Sequence, residues 1–187
     1  DDFVFNQHAD ASLAYGLGWA QTKKDRMNNP DGVSQSLIEQ YRADAEKRVA
    51  QAPSGRAGDK LRVALNDSII KYGTEAAFWE NGRKVDIYQS NLDERMTSRY
   101  ARAGMSGGSI NELADIEAEA TADLESAQSF LPIENVAVRR QKMRGEIYGA
   151  GIVARINSDP AGALNELQGG TWDEYLNPAQ RLRAENA

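Results

Sequence analysis

An all-α fold, an elongated multi-helix bundle with long helices and short proline-capped helices at the C-terminus, is predicted by three observations. No proline occurs between Pro53 and Pro132, and most of that stretch repeats apolar residues at intervals of three and four. Ala is the commonest residue, and Leu, Glu and Arg are frequent, residues that lose least on entering a helix. Aromatic content is only 7 % beside 41 % hydrophobic and 27 % charged residues, whereas a compact enzyme fills its core with more aromatic and β-branched side chains.

Element by element, residues 1–30 read as a separate helical segment or docking arm, on which Ala9, Leu13, Leu17 and Ala20 share one face. Asn28-Asn29-Pro30-Asp31-Gly32 breaks it, because proline removes a donor and Asn and Gly accept turn geometry. The remainder, residues 33–187, reads as one elongated helical bundle. Ser34 or Ser36 is expected to cap its first helix, striped by Leu37, Ile38, Tyr41, Ala45 and Val49, and Ala52-Pro53-Ser54-Gly55 ends it.

From about Arg56 to Ala103 the helical pattern is continuous. Leu61, Leu65, Ile69, Tyr72, Ala76 and Trp79 step along one face, and Val85, Tyr88, Leu92, Met96 and Tyr100 resume it. Unbroken, such a helix reaches about 70 Å at 1.5 Å per residue. Gly73 and Gly82 weaken it, and a bend is expected near Asn81-Gly82.

Gly104 to Gly108 is the next break. Ser109 stands three residues before Glu112, the spacing of a capping box. Ile110, Leu113, Ile116, Ala120, Leu124, Ala127 and Phe130 then follow at helical intervals, and Pro132 marks a turn. The next helix carries Val136, Met143, Ile147, Ala150 and Ala154. Asp159-Pro160 opens a short helix, with Asp159 as cap and Pro160 at the first position. Gly169-Gly170 closes it, and Asn177-Pro178 opens the last.

Charge adds a tertiary expectation. Glu112 to Glu125 holds six carboxylates and no cation, and Arg139 to Arg144 holds four cations and no anion. A turn near Pro132 would lay these two helices antiparallel with opposite charges together, which sets orientation more than stability. The overall charge of −6 disfavours general attraction to nucleic acid. No run approaches the ~20 apolar residues of a membrane span. The opening Asp1-Asp2 is unlike a cationic secretory leader, and the lack of an initiating methionine fits a piece of a longer protein. The absence of cysteine excludes disulfides and cysteine-ligated metal.

Four patterns have the outline of a site. Glu125-Ser126 resembles the Glu-Ser pair of lytic transglycosylases, but that chemistry needs a carboxylic acid in an apolar pocket beside a sugar groove. Glu125 instead lies in an acidic run, which favours a solvated helix face. Tyr15-Gly16-Leu17-Gly18-Trp19-Ala20-Gln21 resembles the Gly-Leu-x-Gln segment of the same enzymes, yet precedes any Glu-Ser, and reads better as a packing or docking element. Ser68-x-x-Lys71 has the serine–lysine spacing of acyl-transferring enzymes without their partner motifs. His8 with Asp1, Asp2 and Asp10 is a thin basis for metal binding, and the Glu-x-x-His pairs of a di-iron bundle are absent. Gly145-x-x-x-Gly149 with Gly151 is expected to allow close local packing. Trp79 and Trp172 read as core or interface anchors, and Arg139 to Arg144 as partners of the acidic helix. No catalytic, cofactor-binding or metal-binding residue is assigned.

The order of segments from Val33 to Ala187 resembles the helical part of large bacteriophage virion proteins, the internal (ejection) and tail-associated proteins that often carry peptidoglycan-degrading domains elsewhere. The likeness lies in the long charged helix, the Gly-rich break, the helix Ser109 to Phe130 and Pro132-Ile133-Glu134-Asn135. It ends with Ile156-Asn157-Ser158-Asp159-Pro160-Ala161-Gly162-Ala163-Leu164, Leu167 and Tyr175-Leu176-Asn177-Pro178-Ala179-Gln180-Arg181. The resemblance implies a non-enzymatic structural component of the virion, later in the host envelope. It would form homo-oligomers, join other virion proteins, contact DNA or envelope during ejection, and take no small-molecule substrate or cofactor. The alternative is a helical scaffold of a larger peptidoglycan lytic transglycosylase whose catalytic domain lies outside this chain. A bacterial coiled-coil adaptor without a phage connection is a third reading.

Overall fold

A computed structural model describes residues 2–130 and 133–187. Among the described residues the chain is all-α: α1 (Asp2–Asp25), α2 (Val33–Val49), α3 (Gly55–Met105), α4 (Ile110–Ser126), α5 (Ile133–Ser158), α6 (Pro160–Gln168) and α7 (Pro178–Glu185). The turn expected at Pro132 lies outside them. Two compact units divide the chain, Asp1–Ile87 and Tyr88–Ala187. The division falls inside α3, and not at the break between residues 30 and 33.

Unit one packs α1, α2 and the first part of α3 around one core. Ala11, Tyr15 and Trp19 meet Val33, Leu37, Tyr41 and Ala45, together with Leu61, Leu65, Ile69 and Ala76. The α2 and α3 stripes are therefore those read from the sequence, but the α1 stripe is not. Leu13 and Leu17 are 65 % and 64 % exposed, while Tyr15 and Trp19 are buried. Burying two aromatic rings removes more apolar area from water than burying two leucines, and their geometry holds them there. The Tyr15 and Tyr41 rings stack with centroids 4.1 Å apart. Each hydroxyl donates to the other residue's carbonyl oxygen, at 3.1 and 2.5 Å. Trp19 meets Trp79 edge to face at 5.5 Å.

The entry into α2 shows a second departure. Its N-cap is Gly32, at φ 71°, with no side-chain cap from α2 itself. Ser34 is the second residue of the helix and not its cap, and neither is Ser36. The cap comes from α3: Glu80 accepts from the amides of Gly32 and Ser34 at 3.0 and 2.9 Å, and from the Ser34 hydroxyl at 2.8 Å.

α3 is one helix of 51 residues that runs through Gly73 and Gly82. Gly73 has a packing reason, since a Cβ there would fall 2.7 Å from Ile38 Cγ1 of α2. Gly82 has none, with nothing within 4 Å of its Cβ position. Gly82→Ala is therefore expected to stabilise the protein by about 0.5–1 kcal/mol, the helix-propensity difference at an open interior site. A urea titration checks this, and a lower midpoint would contradict it.

Unit two builds its core from Leu92, Met96 and Ala103 of α3, the inner faces of α4 and α5, and Leu167, Trp172 and Leu176 near the C-terminus. Ser109 caps α4, its hydroxyl accepting from the Glu112 amide at 3.5 Å. Asp159 caps α6, accepting from Gly162 N at 3.0 Å with Pro160 behind it. Asn177 and Gln180 form a reciprocal capping box on α7. The two short helices lie against α5, and Gln180 ties α7 to it by donating from Nε2 to the Gly145 carbonyl at 2.8 Å.

Candidate functional site

The residues that suggested chemistry are mostly engaged in structure. Ser126 Oγ donates back to the Ala122 carbonyl at 2.9 Å. Glu125 is paired with Arg140 at 3.4 Å, with more than half of its side chain exposed. A solvated carboxylate beside an arginine lacks the apolar pocket that a catalytic acid requires. In the Tyr15-to-Gln21 segment, Tyr15 and Trp19 belong to the core, and Gln21 Nε2 donates to Asp25 at 2.7 Å. Gly16 and Gly18 admit the hydroxyls of Tyr72 and Tyr41, which a Cβ would meet at 3.0 and 3.2 Å.

Two separate sequence candidates come together. His8 Nε2 lies 3.2 Å from Ser68 Oγ and 3.3 Å from Ser12 Oγ, and the two hydroxyls are 3.3 Å apart. Lys71 is not part of this group; its ammonium sits 5.3 Å from the Tyr72 ring centre. The cluster joins α1 to α3 and satisfies Ser68, which is buried. A serine nucleophile needs an orienting group behind its histidine and donors for an oxyanion. Among the described residues the side-chain bonds of this cluster run among His8, Ser12 and Ser68, which form a polar layer within a helical core. Asp1, one of the acids considered with His8, lies outside the described residues. Among the described residues no group of three metal-ligating side chains converges.

The charge pairing in unit two is wider than the sequence suggested. Arg140 meets Glu125, and Arg144 approaches Glu117 at 3.6 Å, so α4 and α5 are antiparallel as expected. Arg139 turns instead to Asp93 of α3 at 2.9 Å. The centre of the acidic face turns to α3 as well. Glu119 receives Arg99 and Arg102, and Asp123 receives Arg95 at 3.1 Å. These arginines recur at steps of four and three, a pattern visible in the sequence but overlooked beside the denser run on α5. The Arg102 guanidinium, with Arg99 next to it, holds the Glu119 carboxyl below the usual range against a smaller effect of burial.

Near the C-terminus Glu166 links three elements. Arg155 Nη2 donates to its Oε1 at 2.6 Å, and the fully buried Trp172 donates from Nε1 to its Oε2 at 3.1 Å. Tyr148 and Tyr175 stack at 4.4 Å with Arg144 over both rings, and Tyr148 donates to Glu117 at 2.7 Å. Burial first, and the Glu117 carboxylate next, push the Tyr148 phenol well above its ordinary pKa. The glycines at 145 and 149 do not receive another helix backbone; they receive the Gln180 side chain, 2.9 Å from a Cβ at Gly149. Trp79 and Trp172 both anchor cores, as expected.

The concave features are shallow. A cleft of about 390 Å³ in unit two is lined by Met96, Tyr100, Leu124 and Met143, with the Asp93–Arg139 pair at its edge. In unit one an apolar groove runs between α2 and α3, lined by Ile38, Ile70, Ala77 and Phe78. Phe78 is 77 % exposed there. Phe5, Leu13 and Leu17 on α1 are exposed as well, and so are Met27, Val63 and Ile70. Among the described residues no helix is long and apolar enough to cross a membrane.

Among the described residues, fold and surface define an all-α protein whose buried polar groups serve helix caps and interhelical pairs, and most of whose exposed apolar side chains lie on helix faces. No protein-family model, curated protein or solved structure matches the chain.

Proposed function

We propose that the chain is a non-enzymatic structural component of a bacteriophage virion, an internal or ejection protein that self-assembles while the genome crosses the host envelope. The observation that carries the reading is the apolar exposure on helix faces of unit one, where Phe5, Leu13, Leu17, Ile70 and Phe78 are all more than half exposed. Helices that leave such area in water are suited to covering it with another helical protein. The order of helices, Gly-rich break and Pro-capped C-terminal helices supports the virion class. The partners in this reading are further copies of the chain and other virion proteins. Contact with DNA would be local, because net charge is −6.

The test is direct. Peptides of this chain are expected in mass spectra of purified, nuclease-treated particles, and antibodies against it are expected to label them. Particles that lack the chain, in preparations whose lysate contains it, would overturn the proposal.

A further inference from the structure

The outer face of α1 has a pattern that selects one occupant. Ala9, Leu13, Leu17 and Ala20 form an exposed strip, with Phe5 at one edge and Asp10 at the other. At its N-terminal end the same face carries Asp2, and at its C-terminal end Lys24. Neither makes an ion pair among the described residues. An apolar strip with opposite charges at its two ends is complementary to itself when turned end for end.

We infer that α1 is the interface of an antiparallel, two-fold symmetric dimer of this chain, centred on Leu13. A two-fold interface repeats every contact, and this centre matches the strip with itself, leaving Asp10 opposite the uncharged Gly16. Leu13 meets its own copy. Ala9 faces Leu17, and Asn6 faces Ala20, so small residues lie opposite larger ones and the helices can approach closely. Asp2 faces Lys24 at both ends. The antiparallel order also sets each positive helix terminus beside a negative one.

A parallel pair would instead place Asp2 beside Asp2 and Lys24 beside Lys24. The groove at Ile38, Ile70 and Phe78 shows no comparable pattern of end charges, which is why α1 is the face assigned. A helix of 24 residues is about 36 Å long, so the pair lies at the low end of stable interfaces, and a dissociation constant of roughly 1–100 µM follows.

The inference does not rest on the virion reading. Failure here would leave particle incorporation to be judged separately, and absence from particles would leave the dimer intact. The experiment uses the full chain in sedimentation velocity, from about 1 to about 200 µM, a range that brackets the expected constant. A reversible dimer is expected. Leu13→Glu, at an exposed position that folding does not need, sets two carboxylates on the axis and weakens it at least about tenfold.

Lys24→Glu weakens the dimer by about three- to tenfold, and adding Asp2→Lys restores it. Since the chain lacks cysteine, oxidised Leu13→Cys reports the register by forming a disulfide dimer. Leu17→Cys does not, because its copies lie about 12 Å apart along the axis. A monomer throughout the range, a dimer indifferent to Leu13→Glu, or Leu17→Cys cross-linking as readily as Leu13→Cys would each overturn the inference.

Discussion

Glu80→Gln is expected to destabilise unit one by about 3 kcal/mol, more than a surface charge normally contributes. Glu80 is 7 % exposed and lies beneath the N-terminus of α2. It fills a need that α2 leaves open, because that helix has neither a side-chain cap of its own nor an acidic residue in its first turn. The carboxylate accepts from two backbone amides and one hydroxyl, and its fourth donor is Lys84 at 2.7 Å. Lys84 in turn reaches Asp31 at 2.9 Å, so the segment before α2 is clamped to α3. An amide at position 80 keeps the shape but turns an NH₂ group toward donors, leaving them unsatisfied next to the helix dipole.

The same residue sets a pH dependence. Burial opposes ionisation of Glu80, but Lys84, Ser34 and Gly32 outweigh it and bring its pKa from 4.5 to about 2. A depressed carboxylate stabilises the folded state fully above its unfolded pKa, and that contribution is lost as pH falls through the folded value. The stability of the native protein should therefore decline from about pH 4.5 toward pH 2, by up to about 3 kcal/mol from this group. In Glu80→Gln that slope should flatten by the same amount. Urea midpoints for both proteins across this range provide the comparison. Parallel pH profiles would show that the carboxylate does not hold α2.

Why this residue escaped a reading of the sequence is physical. Helical periodicity reports which residues share a face, and it located the stripes of α2, α3, α4 and α5 because burial of that face decides helix packing. Local caps were equally legible at Ser109, Asp159 and Asn177, where donor and acceptor are three residues apart. Glu80 caps residues 46 and 48 positions away, a pairing that exists only after α2 and α3 have docked.

On α1 the periodicity admitted two apolar faces, and spacing alone could not rank them. The difference lay in side-chain size and hydroxyl satisfaction, where Tyr15 and Trp19 outweigh Leu13 and Leu17. The face that lost became the candidate interface. The charge reading failed halfway for a related reason. Composition showed that α4 needs cations, but α3 supplies them as well as α5.

Gly108→Ala is expected to be the most damaging single-methyl addition in the chain, at about 3 kcal/mol or more. Gly107 and Gly108 both adopt positive φ, 62° and 79°, to turn α3 into α4, a region costly for any residue with a Cβ. Gly107 has open space around its Cβ position and should lose only the conformational part, about 1–2 kcal/mol. At Gly108 the new methyl would also meet α5, 2.9 Å from the Gly151 carbonyl oxygen and against Arg155. Backbone cannot step aside as a side chain can, so α4 and α5 would have to part.

Gly151→Ala makes the informative comparison. Its methyl would meet the Leu113 side chain first, falling 2.8 Å from Cδ2 and closer still to Cδ1. Overpacking of that kind costs about 1–3 kcal/mol and should be relieved when Leu113 is shortened. In a double-mutant cycle, Gly151→Ala with Leu113→Ala is expected to be more stable than the sum of the single losses predicts, by about 1–2 kcal/mol. Gly108→Ala with Leu113→Ala should show no such coupling, because Leu113 is not what its methyl strikes. Equal rescue of both glycine variants would mean that α4 can slide along α5, and that the turn at Gly107-Gly108 does not fix their separation.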